Sequence, residues 1–475
     1  MKVAIATSEA VPFSKTGGLA DVAGTLFKEY TNMGIDAFLF VPLYKKTREQ
    51  FADDIRYTGV EVDIPLGKAV RKCRVFSMGT PLPHVFFIGS NEFFDRDELY
   101  GTPYADYPDN DQRFVFFCRG VLEACKRLDI RPDIMHCNDW QTGLIPIYMK
   151  TVYRDSPVFS GTKSVITIHN LGYQGIFPSQ TMEITGLGWD LFHMGGLEFY
   201  GNINFLKAGI VGADIITTVS RTYAKEILMP ESGFGLDGIL RKRAANLVGI
   251  PNGIDYKEWD PAADKFLPYV YDKLKLSGKA RCKAELMKKC SFRGDINTPL
   301  LCFIGRIAGQ KGIDILTGAV PQMIATGVNI AIIGKGEEHY LTLLNSARNR
   351  FPDALFLHSE FDEAFAHLAY AGADIFLMPS RYEPCGLGQM IAMRYGTIPV
   401  ARMTGGLSDT IEDGVSGFLF DEYSTVSLVS GINRALNRYA DKKMWHKTIR
   451  NAMNRDFSWR KPAAMYLDLY SGRKI

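Results

Sequence analysis

Residues 300–312 read LLCFIGRIAGQKG. The apolar run Leu300–Ile304 leads without a polar break into a glycine-punctuated loop that carries Arg306 and Lys311. A short continuous apolar run bounded by turn residues suits a strand buried on both faces, as in a parallel sheet covered by helices. The pattern recurs at Ile330–Ile333, Leu355–Leu357, Ile375–Met378 and Ile398–Ala401. Gly305, Gly334 and Pro379 directly follow three of these strands, where an open α/β sheet places its ligand-binding loops. An independent series lies upstream, at Val3–Ala6, Ala37–Val41, Val85–Ile88, Asp133–His136, Val165–His169 and Ile215–Val219. Helical spacing fills the gaps: Leu26, Phe27 and Tyr30 precede Gly34, and Phe114, Phe117, Val121 and Leu122 share a helix face. Strands alternating with helices define an α/β chain with two doubly wound parallel sheets.

The stretch IPNGIDYKEWDPAAD (250–264) is rich in turn formers and reads as the crossing between the two series. The boundaries expected are therefore 1–250 for a first domain, 251–261 for the crossing, 262–450 for a second domain and 451–475 for a terminal segment. In that segment Phe457-Ser458-Trp459, then Ala463, Ala464, Tyr466, Leu467 and Leu469, predict an amphipathic helix.

The 475 residues carry 55 Lys+Arg against 52 Asp+Glu, a net charge of +3, which gives no field of the kind a nucleic-acid binder needs. Eight cysteines without a CxxC pair fit neither a disulfide scaffold nor a zinc ribbon, and point to a reducing compartment. No apolar stretch approaches the ~20 residues of a membrane helix. The first residues, MKVAIATSEAVPFSKTGG, are broken by Glu9, Pro12 and Lys15 and read as strand and loop rather than a signal peptide. Lys-rich 273–289 is expected to be a solvated helix face, since it has no interleaved aromatics for nucleic acid. The D-x-D strings 95–97 and 109–111 end no apolar strand and read as surface loops.

The chemistry sits on strand-end loops. After the first strand come Lys15, Gly17, Gly18 and Asp21; adjacent glycines let backbone N–H groups approach an oxyanion, although a plain tight turn uses them equally well. Thr404, Gly405 and Gly406 repeat the device. Arg306 offers an anion a planar fork and Lys311 a point charge. Glu383, in the Pro/Gly-framed loop 379–387, suits a sugar hydroxyl. His169 ends a strand, where a histidine serves packing as readily as chemistry. A metal set at His136, Cys137 and Asp139 is disfavoured because side chains of an extended segment alternate in direction.

Taken together, KTGGLADV (15–22), YPDNDQRF (107–114), HCNDWQTGL (136–144), TIHNLGYQGIF (167–177), NGID (252–255), GRIAGQKG (305–312), PSRYEPCGLGQ (379–389), RYGTIPV (394–400) and TGGLSDT (404–410) resemble the bacterial glycogen synthase and plant starch synthase family over nearly the whole chain. The resemblance implies a GT-B architecture, two facing Rossmann-like domains with a cleft between them and a C-terminal helix crossing back to the first. It implies retaining transfer of glucose from a nucleotide diphosphate-glucose, ADP-glucose or UDP-glucose, to the non-reducing 4-hydroxyl of an α-1,4-glucan. No cofactor or metal, no nucleic acid and no membrane is implied as partner, and the compartment expected is the cytoplasm, or the plastid stroma in a plant.

By that similarity His169, Arg306, Lys311 and Glu383 are the catalytic candidates. Lys15, Gly17, Gly18, Asp21, Tyr100, Asp139, Asn170, Asn252, Phe361, Cys385, Gly386, Leu387, Thr404, Gly405 and Gly406 are substrate-binding candidates, with Phe361 stacking on the base. Two departures stand out. Ile391 occupies the place, eight residues after Glu383, where several retaining GT-B enzymes carry a second glutamate, and Gly388 stands where Thr or Asn is expected. The alternative is another retaining GT-B transferase with a different donor or acceptor. A dinucleotide oxidoreductase is disfavoured because no G-x-G-x-x-G follows the first strand.

Overall fold

The computed structural model describes residues 1–79, 84–102, 104–360 and 362–473. They fall into two compact units. One comprises residues 1–219, 224–250 and the chain from Trp459 onward; the other comprises Ser220–Tyr223 and Pro251–Ser458.

In the first unit a nine-stranded sheet runs Leu247–Gly249, Ile215–Thr218, Lys163–Ile168, Ile134–Asn138, Lys2–Ala6, Asp36–Pro42, Val85–Gly89, Ala69–Met78, Ile55–Leu66. All neighbours pair in parallel except the last two strands, which form an antiparallel hairpin at the edge. The central strands are buried along nearly their whole length because helices cover both faces. The hairpin instead alternates buried and exposed residues along Ile55–Leu66, which places it at a half-solvated edge. In the second unit six parallel strands run Leu355–His358, Asn329–Ile333, Leu300–Ile304, Ile375–Met378, Ile398–Arg402, Phe418–Phe420.

Both sheets have a point where the strand order reverses. In the first it lies between Lys2–Ala6 and Ile134–Asn138; in the second, between Leu300–Ile304 and Ile375–Met378. Ligands of open α/β sheets bind at the carboxyl ends of strands at such points. The loops there begin at 7 and 139 in the first unit and at 305 and 379 in the second. These are the loops that carry most of the sequence-predicted site.

The C-terminal segment divides. The helix Lys442–Met453 belongs to the second unit, whereas the helix Arg460–Tyr470 lies in the first. Trp459, Ala463, Tyr466 and Tyr470 join Val3, Ile5 and Tyr30 in the first unit's core. Tyr30 Oη donates to Tyr470 Oη at 3.0 Å, and Tyr470 Oη lies 2.7 Å from His136 Nδ1. His136 Nε2 lies 2.6 Å from Thr167 Oγ1, so both ring nitrogens are satisfied. Burial pushes its pKa down to about 3 and keeps the ring neutral.

Two readings are corrected. The Lys-rich helix Ser277–Lys289 is not wholly solvated: Gly278, Lys279, Cys282, Lys283 and Leu286 form its buried stripe. Lys279 Nζ donates to the carbonyls of Ala371 and Ala373, both at 2.9 Å, and to Thr397 Oγ1 at 2.7 Å. Those carbonyls close the C-terminus of the helix Glu363–Gly372, where a cation is favoured. Lys283 pairs with Asp374 at 2.7 Å. The string Asp109-Asn110-Asp111 is not a surface loop but the start of the helix Asn110–Arg127. Asp109 pairs with Arg96, Asn110 Nδ2 donates to the Tyr100 carbonyl, and buried Asp111 accepts from Thr181.

Replacing Tyr470 by Phe leaves His136 Nδ1 buried without its partner. The expected loss in unfolding free energy is about 1–3 kcal/mol by denaturant titration, with the cooperativity of the transition retained.

Candidate active site

In the second unit two loops are held together by backbone. The chain after Leu300–Ile304 makes a single tight turn, Gly309–Lys311, and then Gly312 at φ +74° opens the helix Ile313–Ala325. A Cβ at 312 would stand 1.9 Å from the Pro379 carbonyl oxygen, so only glycine lets the loops touch here. The Arg381 N–H donates to the Gln310 carbonyl at 2.9 Å and locks the same approach.

That contact brings Lys311 Nζ to 2.6 Å from Glu383 Oε2. Ser380 Oγ donates to the same oxygen at 2.9 Å. Glu383 and Ser380 are buried, whereas Lys311 is half-buried. Arg306 is exposed on the same loop, and its Nη2 donates to Gln310 Oε1 at 3.1 Å. Three of the predicted catalytic residues thus share one strand-end loop pair.

The Thr404–Gly406 loop packs closely on the loop that carries Glu383. Gly405 has φ +44°, and a Cβ on it would lie 2.0 Å from the Glu383 carbonyl oxygen. The Gly406 N–H donates to that carbonyl at 3.0 Å. This glycine pair seats one loop on the backbone of residues 383–385, and the Gly406 donor is thereby engaged within the protein. Gly388 starts the helix Gly388–Arg394, where a Cβ would come within 3.0 Å of the Phe376 ring, so packing accounts for the absent polar side chain. Cys385 is buried, its thiol pushed up to about 12 by burial, and Asn252 hydrogen-bonds it. Asn252 Oδ1 is itself buried without a hydrogen-bond partner among the described residues. Gly386 and Leu387 lead into the helix beside them. Phe361 lies outside the described residues.

In the first unit the KTGG loop wraps an internal carboxylate. Glu9, buried after the first strand, accepts from the N–H of Thr16 at 2.5 Å and of Gly17 at 3.2 Å, and from Thr16 Oγ1 at 2.7 Å. Tyr100 Oη donates to it at 2.6 Å and also contacts Ser8. The Thr16 and Gly17 N–H groups therefore face a protein carboxylate. Lys15 is exposed and pairs with Asp21 at 2.7 Å. A Cβ on Gly17 would meet nothing within 4 Å and its φ of −153° is ordinary, so the fold itself does not demand glycine there.

Asp139 follows Ile134–Asn138 with φ 55° and ψ −171°, a region nearly confined to glycine that costs of order 1–3 kcal/mol. Its side chain supports the conformation: Oδ1 accepts the His169 N–H at 2.7 Å, and the Asn170 N–H also bonds it. Burial is the larger effect and pushes this carboxyl up to about 7. His169 Nε2 lies 2.9 Å from Asn138 Oδ1; a carbonyl oxygen only accepts, so Nε2 carries the proton and Nδ1 presents a lone pair. Burial lowers the ring's pKa to about 3. Asn170 Oδ1 turns back to the Gly172 N–H.

Sequence reasoning missed Glu9, Asn138 and Ser380. Glu9 and Ser380 had a readable signal, since each is a polar residue just past a strand at a reversal point.

The comparisons fit this geometry. Residues 2–242 match the family model described as starch synthase catalytic domain, and residues 291–455 match glycosyl transferases group 1. The catalytic domain of Starch Synthase IV from Arabidopsis thaliana, bound to ADP and acarbose, superposes with a TM-score of 0.90 at 31% identity, over 99% of this chain and 98% of that one. Sucrose-phosphate synthase from Thermosynechococcus elongatus shares the fold at a TM-score of 0.62 and 17% identity, over 99% and 98% of the two chains. The fold and its strand-end loops are those of a GT-B glycosyltransferase. A glycogen synthase of Thermodesulfovibrio yellowstonii is 50% identical over 99% of this chain and 98% of its own. One from Syntrophotalea carbinolica is 44% identical over the same shares. The chain belongs to the glycogen/starch synthase family.

Asp139 binds its proton more tightly folded than unfolded. Its contribution to stability is therefore full below the ordinary carboxylate pKa and is lost as pH rises through about 7. Asp139→Asn is expected to cost less unfolding free energy at about pH 8 than at about pH 5. Denaturant titration of both proteins at both values checks the sign.

Proposed function

We propose that the chain transfers glucose from ADP-glucose to the non-reducing 4-hydroxyl of an α-1,4-glucan with retention of configuration. The observation that carries this reading is the Lys311–Glu383 pair at the reversal point of the second sheet, with Arg306 on the same loop. The description of the Arabidopsis neighbour as bound to ADP and acarbose supports an adenine nucleotide as leaving group.

The chemistry asks for little acid–base help. The nucleoside diphosphate is a stable leaving anion, and negative charge grows on its β-phosphate as the bond to C1 stretches. Arg306 and Lys311 face that charge as fixed cations, and groups already in place lose no reorganisation energy as it develops. Glu383 reads the sugar: Oε2 is engaged by Lys311 and Ser380, which leaves Oε1 to accept from a glucose hydroxyl. His169 stays neutral at working pH and offers Nδ1 as an acceptor near the transferred sugar, while Asp139 fixes its backbone. The departing phosphate oxygen takes the acceptor's proton, so no separate base is needed. Gly17, where no protein atom fills the place of a Cβ, keeps open an approach to the KTGG loop. No metal is required, because the two cations do its work. The cytoplasm is the compartment this reading favours, in keeping with eight unpaired, buried cysteines.

A glycogen primer offered ADP-glucose and UDP-glucose in competition, with and without chelator, tests the reading. Faster elongation from ADP-glucose, insensitive to chelator, is expected; no incorporation from either donor would refute it. Lys311→Ala is expected to fold and to lose about 10²–10³ in turnover, and near-normal turnover would show the site to be misplaced.

A further inference from the structure

Outside these loops, the second unit gathers Glu258, Glu363 and His367 so that one ligand atom of each lies within 4.8 Å of the others. Glu258 lies within the crossing segment 251–261, whereas Glu363 and His367 stand one turn apart on the helix Glu363–Gly372. Spacing of i and i+4 puts them on one face. Burial grades across the group, with His367 fully buried, Glu258 half-buried and Glu363 exposed.

The histidine is prepared in a specific way. Its Nδ1 lies 2.7 Å from Asp264 Oδ2, and a carboxylate oxygen only accepts, so Nδ1 carries the proton. In the neutral ring Nε2 then presents a lone pair. Nε2 is buried and has no hydrogen-bond partner among the described residues. Tyr395 Oη donates to the same Asp264 oxygen at 2.5 Å, and Trp259 stacks on the ring at 4.1 Å between centroids, so the imidazole cannot turn. A carboxylate behind a fixed histidine, with the far nitrogen bare, is the arrangement that orients metal-ligating imidazoles. An orphaned buried nitrogen costs stability unless something pairs with it.

We propose that Glu258, Glu363 and His367 bind a divalent transition metal, Zn²⁺ fitting best. One imidazole nitrogen and two carboxylates suit Zn²⁺ better than Mg²⁺ or Ca²⁺, which prefer all-oxygen shells. Bonds of about 2.1 Å set ligand atoms no more than about 4.2 Å apart, a contraction that the exposed Glu363 side chain supplies by a small rotation. With three protein ligands the fourth position belongs to water. The ion fastens the crossing segment to the helix Glu363–Gly372 and stabilises the folded chain by mass action.

The full-length protein, stripped with chelator and dialysed, is titrated with Zn²⁺ alone by calorimetry while Trp fluorescence reports on Trp259. One ion per chain, a change in fluorescence and a raised thermal midpoint are expected. Glu363→Gln and Glu258→Gln should weaken binding at least about 10-fold, on the scale that lesser losses around metal sites already reach. Both should abolish the rise in midpoint while keeping the wild-type circular dichroism. Absence of stoichiometric binding by the wild-type chain, or equal binding by Glu363→Gln, overturns the proposal. Cobalt substitution gives a readout independent of heat release: a visible absorption typical of a four-coordinate nitrogen/oxygen site supports it, and a purely octahedral aquo spectrum refutes it.

Discussion

Everything chemical in the second unit depends on two loops touching where a side chain would keep them apart. The missing Cβ at Gly312 admits the Pro379 carbonyl, and the missing Cβ at Gly405 admits the Glu383 carbonyl. Between these contacts the Lys311–Glu383 ion pair forms at 2.6 Å, with Ser380 as a third partner. Taking two charges out of water is costly, and removing one partner of a buried pair typically costs about 3–5 kcal/mol. The pair is thus a fixed feature of the folded loop, set before any substrate arrives. Such preorganisation is what stabilisation of a developing phosphate charge requires.

The first unit applies the same economy with opposite sign. Glu9 collects the Thr16 and Gly17 N–H groups and the Tyr100 hydroxyl, and so fixes the shape of the KTGG loop around a protein carboxylate. Asp139 accepts an unfavourable backbone conformation and uses its side chain to hold the amides of His169 and Asn170. Burial keeps the His169 ring neutral, and the Asp139 carboxylate holds the backbone beside it.

The sheets were legible because their central strands are buried on both faces and so appear as unbroken apolar runs such as Leu300–Ile304. The edge hairpin Ile55–Leu66 and Ala69–Met78 was not, because half its side chains meet water and its pattern alternates. The lysines at 279 and 283 defeated the charge argument: their ammonium groups reach the end of a helix and Asp374, contacts that composition cannot show. In the site, Arg306, Lys311 and Glu383 could be placed because their loops follow strands directly. The glycine pair at 405–406 looked like a phosphate loop for the same reason that it packs so well on 383–385, since a bare backbone is what both uses demand. Glu9 carried only the signal of an acid past the first strand, and Asn138 was hidden within a strand.

The central claim is that Lys311 holds the nucleotide's phosphates while Glu383 reads the sugar, although the two side chains touch. Calorimetric titration with ADP, which lacks the sugar, separates these roles. The account predicts that Lys311→Ala binds ADP at least about 10-fold more weakly, as loss of a charge-assisted contact implies. Glu383→Ala should bind ADP as well as the wild type or better, because it removes a carboxylate from beside the phosphates. Unchanged ADP affinity in Lys311→Ala would contradict the account.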